Sequence, residues 1–93
     1  MDKVSASVSI VNDEQMQALN KKFRSKDYIT DVLSFTANER TPEGELLLGE
    51  IVINRNQAKR QAKELGHSVE EEISFLAAHA MMHLQGVHHE HDE

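Results

Sequence analysis

Five of the six histidines in this 93-residue sequence fall between positions 79 and 91. His79 and His83 are four residues apart, which on a helix puts both rings on one side with their nitrogens in reach of a single metal ion. Gly86 follows three residues later. Lacking a Cβ, it can take positive φ, end the helix and redirect the chain so that His89 returns to the first two. The expectation is one zinc ion per chain, held by His79, His83 and His89. Three protein ligands leave the fourth zinc position open to water, the arrangement of a catalytic rather than a structural site. His88 and His91 are read as part of a charged, solvated tail, and His67 as a turn residue.

The spacing H-x-x-x-H-x-x-G-x-x-H resembles the zinc motif of the metzincin proteases, with one difference. Ala80 stands where those enzymes carry the glutamate that deprotonates the zinc-bound water and protonates the leaving amine. A methyl group does neither, so Ala80 argues against peptide hydrolysis by that route.

Composition narrows the choice further. A 93-residue chain is read as a single domain, residues 1–93, near the lower size limit for folding without staples. It has no Trp, one Tyr and three Phe, so its core is thin and a bound metal could add much of its stability. With no Cys, a metal must be held by His, Asp or Glu. No apolar run is long enough to span a bilayer and no secretory leader is evident, so the expected location is the cytoplasm. The net charge of −6 argues against indiscriminate DNA binding. Local basic patches exist at Lys21, Lys22, Arg24 and Lys26, and at Arg55, Lys59, Arg60 and Lys63, the second read as a solvated helix face.

The elements that position these residues follow from periodicity. Val4, Ala6, Val8 and Ile10 alternate with serines, a half-buried strand ending at Val11. Asn12 or Asp13 caps a helix with Met16, Leu19 and Phe23 on one face. Val32–Phe35 forms a short strand, Thr41–Gly44 a turn, and the apolar run Leu46–Ile53 a central strand covered on both faces. Asn54 or Asn56 starts a helix that Gly66 closes. Ser68 and Glu71 form a capping box opening a last helix that runs to about Gln85. The expected fold is α+β, in the order βαββαα. Three strands form a small mixed sheet with an antiparallel hairpin, and the zinc site lies at the end of the last helix.

Three segments carry a family resemblance. Leu19–Asp27 (LNKKFRSKD) with Thr30–Phe35 (TDVLSF), Leu48–Ile53 (LGEIVI) and His79–His89 (HAMMHLQGVHH) stand in the order of three YbeY signatures, covering about residues 7 to 90. The chain resembles that family with departures: Ala80 for a glycine, Val87 and His88 for Tyr-Asp, Glu50 for an aspartate and Thr36 for a proline. The family's further N-terminal strand and helix and its C-terminal helix have no counterpart, which points to dimerisation or to a trimmed member.

The resemblance implies a zinc-dependent, single-strand-specific endoribonuclease of ribosomal RNA maturation, acting at the 3′ end of the 16S RNA and in ribosome quality control. Its implied partners are single-stranded RNA, the small ribosomal subunit and ribosome-assembly proteins, with no membrane or DNA role. By matching position, Arg24 is the arginine that holds the RNA phosphate near the metal. Either a zinc-bound hydroxide or the adjacent 2′-hydroxyl is the nucleophile. The alternative reading is a non-catalytic, zinc-stabilised module that binds the ribosome.

Overall fold

The computed structural model describes the backbone of residues 3–90 and the side chains of residues 3–86. Within it the chain runs β1 (Val4–Val11), α1 (Asp13–Arg24), β2 (Val32–Arg40), β3 (Leu46–Asn54), α2 (Arg55–Leu65) and α3 (Val69–Glu90). This is the expected α+β order. The sheet order is β1-β3-β2, with β1 parallel and β2 antiparallel to the central β3. Among the described residues, no helix is long and apolar enough to cross a membrane.

The helix starts follow the capping chemistry in the sequence. At α1 the Asn12 side chain accepts from the Gln15 amide at 2.8 Å, while the Gln15 side chain accepts from the Asn12 amide at 3.0 Å. At α3 the Ser68 hydroxyl accepts from the Glu71 amide, and the Glu71 carboxylate accepts from the Ser68 amide. These reciprocal bonds satisfy amides that a helix start leaves unpaired. Asn54 caps α2 by accepting from the amides of Asn56 and Gln57, and Gly66 ends that helix with φ 76°.

The pleat of the sheet sends its residues to two different layers. Leu48, Ile51 and Ile53 of β3 pack with Ala58 of α2 and with Leu76, Ala80 and Leu84 of α3. On the opposite face lie α1, with buried Met16, and its sheet neighbours, including Val11 and Val52. β1 is an edge strand, and its Val8 and Ile10 are about half exposed.

Two boundaries differ from the sequence expectation. β2 extends to Arg40 rather than ending at Phe35, because its pairing with β3 slips between Thr36 and Glu39, where Asn38 takes φ 56°. That bulge interrupts the alternation by which a strand is read. In addition, α3 does not stop at Gly86 but continues to Glu90. The described glycines at positive φ are Gly44 and Gly66. A helical glycine costs about 1 kcal/mol relative to alanine, so Gly86 permits a stop without imposing one.

Candidate metal centre

α3 is held to the sheet by Leu76, Ala80 and Leu84, which recur every four residues and are at most 5 % exposed. This stripe fixes the rotation of the helix. His79 and His83 immediately precede Ala80 and Leu84, so they flank the buried stripe, one turn apart on the same side. Both imidazoles are exposed. The Phe75 ring stacks on that of His79, with centroids 6.3 Å apart and planes inclined by 12°. Neither imidazole is hydrogen-bonded to another described residue, so their ring nitrogens are available as donors.

Two imidazoles at i and i+4 on a rigid, anchored helix suit a zinc or other borderline cation. The expected third donor, His89, has its side chain outside the described residues, as do His88 and His91. Among the described residues, no three His, Asp or Glu side chains converge as a metal cluster. The structure thus places His79 and His83 on adjacent turns, while the backbone at His89 continues along the same helix instead of turning back at Gly86.

Arg24 ends α1, and its Nη2 donates to the Ser34 carbonyl of β2 at 2.5 Å. Its guanidinium carbon stands 5.3 Å from the centroid of the Phe35 ring. The left-handed Ser25, φ 56°, terminates the helix just beyond it, with the Ser25 amide donating to the Lys21 carbonyl. Arg24 therefore sits on an edge strand of the sheet rather than floating from a helix end.

Two polar clusters support this frame and were not read from the sequence. Glu72 is 2 % exposed. Its carboxylate meets His67 Nε2 at 2.6 Å and accepts from Gln61 Nε2 at 2.8 Å, tying α2 and the following turn to the base of α3. It is the last acid of a Glu-Glu-Glu run, and it lies four residues before Leu76 and eight before Ala80, on the stripe that faces the core. His67 is thus a tether as well as a turn residue. Arg60, expected on a solvated face, forms a two-pronged pair with Asp13 at 2.8 and 3.2 Å. The Arg60 guanidinium and then the Asn54 amide, both hydrogen-bonded to Asp13, hold its carboxyl below the usual carboxylate range.

Comparison with known proteins agrees with this frame. The family model described as endoribonuclease YbeY matches residues 1–93. The proteins named endoribonuclease YbeY from Alkaliphilus oremlandii and Campylobacter jejuni are 50 % and 54 % identical over 90 and 82 residues. These alignments cover 94 % and 88 % of this chain, and 60 % of each relative. The relative from Aquifex aeolicus is 47 % identical, over 97 % of this chain and 59 % of its own. The chain thus spans about 60 % of the length of these curated relatives. The solution structure of TM1509 from Thermotoga maritima superposes with a TM-score of 0.67 at 29 % identity, covering 88 % of this chain and 51 % of that one. With its sheet order, its capped helices and a family match along its whole length, the chain belongs to the YbeY family.

Proposed function

We propose that this chain is a zinc-dependent, single-strand-specific endoribonuclease that works in the cytoplasm on ribosomal RNA. Its substrate would be the 3′ end of the 16S RNA on the small subunit, with a role in ribosome quality control. The observation that carries this reading is the pair of exposed imidazoles of His79 and His83, unbonded among the described residues, on successive turns of α3 in a chain of this family.

His79, His83 and, by its spacing, His89 would hold the metal, which when bound lowers the pKa of its water and polarises a phosphoryl oxygen. The Leu76–Ala80–Leu84 stripe keeps the first two donors in fixed register. Arg24 contributes a planar fork that matches two phosphate oxygens and neutralises charge as the bridging bond breaks. Its Nη2 exchanges the Ser34 carbonyl for the phosphate, while the Phe35 ring keeps the guanidinium oriented.

The test is metal analysis of the purified chain paired with cleavage of single-stranded RNA. One zinc per chain and cleavage lost in both Arg24→Ala and His83→Ala support the reading. Cleavage unchanged in both variants would expose a contaminating nuclease and defeat it.

The net charge of −6 favours a second reading, a non-catalytic module in which zinc only stabilises the fold and the chain binds the small subunit. This reading wins if chelation melts the protein while the zinc-loaded chain binds small subunits and leaves RNA intact.

A further inference from the structure

Between α1 and the sheet, on the face opposite α3, lies a cavity of about 430 Å³. That is within the range of about 300–1,000 Å³ typical of small-molecule sites. Its floor is apolar, from Val11, Leu19 and Val52, and the rings of Phe23 and Phe35 line it as well. Those rings meet edge to face, with centroids 5.5 Å apart and an angle of 68° between planes. Each ring carries a cation: Lys22 Nζ lies 5.2 Å from the Phe23 centroid, and the Arg24 guanidinium 5.3 Å from that of Phe35. Two polar side chains also line the cavity: Ser9, whose hydroxyl adapts as donor or acceptor, and Glu50, which only accepts and lies directly across the ladder from Phe35.

Two aromatic rings, two flanking cations and one carboxylate match the parts of a nucleotide. We propose that this cavity binds a single nucleobase of the RNA strand, and that Glu50 makes it prefer guanine. The base stacks on the phenyl rings, an interaction open to every base. The phosphates on either side of it lie against Lys22 and Arg24. Selectivity then falls to Glu50, whose carboxylate offers two acceptors and no donor. Guanine presents two adjacent donors on its Watson–Crick edge, N1–H and N2–H, and meets both oxygens. Adenine and cytosine present one donor beside a ring-nitrogen acceptor. Uracil presents one donor between two carbonyls, which face the carboxylate unfavourably. Unpaired bases of single-stranded RNA are read by this combination of stacking and edge bonding.

The proposal rests on RNA being the substrate, but its test needs neither metal nor cleavage. The full chain is titrated with GMP, UMP and inorganic phosphate, followed by amide and methyl NMR shifts. GMP is expected to bind at least about tenfold more tightly than UMP, with shifts centred on Phe23, Phe35 and Val52. Phosphate alone should leave the cavity signals in place. The exposed substitution Glu50→Gln is expected to erase the guanine preference while binding persists, and Val52→Phe, which fills the floor, to abolish base-dependent binding. Equal affinity for GMP and UMP, shifts away from the cavity, or a guanine preference that survives Glu50→Gln would overturn it. Guanine-selective binding in a chain that never cleaves RNA would count against the proposed activity and leave the cavity assignment standing. Cleavage without guanine selectivity would do the reverse.

Discussion

Gly49 lies directly beneath Leu84: a Cβ built at this glycine would stand 3.0 Å from Leu84 Cδ2 and would overlap the backbone carbonyl of Phe35. β3 and α3 therefore touch at a point that only a hydrogen can occupy, one residue beyond His83. The leucine tip could yield, but the Phe35 carbonyl belongs to the sheet and cannot. Gly49→Ala is expected to destabilise the fold by about 2–4 kcal/mol. Urea unfolding checks this as a lower midpoint at unchanged slope.

The Glu72 tether makes a second prediction. Removing the His67 ring leaves a carboxylate that is 2 % exposed without its 2.6 Å partner. His67→Ala is expected to cost about 1–3 kcal/mol, against less than about 0.5 for an ordinary surface substitution. A thermal melt of the variant beside Glu64→Ala, an exposed acid on α2, separates the two cases.

Acid stability should depend on two carboxylates. Arg60 and Asn54 lower the Asp13 pKa from 3.8, and the Ser68 amide and hydroxyl lower that of Glu71 from 4.5. Since both are depressed in the folded state, their contribution is complete above those unfolded values and is lost as pH falls through the folded ones. Stability should therefore decline below the carboxylate range. Asp13→Asn and Glu71→Gln should each flatten that decline, as measured by denaturation midpoints between pH 2 and 6. A decline as steep in the double variant as in the parent would refute the assignment.

At the proposed metal centre, Gly86 separates two effects. α3 is helical past Gly86 to Glu90, whereas bringing His89 back to His79 and His83 requires the chain to leave the helix at Gly86. Gly86→Ala should stabilise the metal-free protein by about 0.5–1 kcal/mol, because alanine favours the helix. The same preference should weaken zinc binding several-fold. Calorimetric zinc titration alongside the metal-free melt tests both directions, and tighter zinc binding in the variant would contradict the proposed turn.

Much of this architecture was legible because it is local. The bounds of β1, the Asn12 and Ser68 caps and the glycine stop at Gly66 are each dictated within a few residues, and each is where the spacing placed it. Val4, Val8 and Ile10 of this edge strand nevertheless stay exposed instead of buried. What escaped depends on partners far along the chain. Asp13 and Arg60 are 47 residues apart, and neither charge by itself announces a pair. Glu72 reads as solvated until the helix is rotated so that Leu76 and Ala80 point inward. The histidine pair shows the same division. Two imidazoles on adjacent turns follow from helical geometry alone, while a third donor depends on how the chain leaves that helix.

Asn54 is fully buried, and its side-chain amide donates to Asp13 Oδ1 and to the Thr30 carbonyl while its oxygen caps α2. One side chain thus links the start of α1, the approach to β2, the end of β3 and the start of α2. None of these segments can open without stranding a polar group belonging to the others, so they should exchange their amide hydrogens as one cooperative unit. Replacing this amide with leucine should split that unit, and deuterium would then enter the four segments at separate rates.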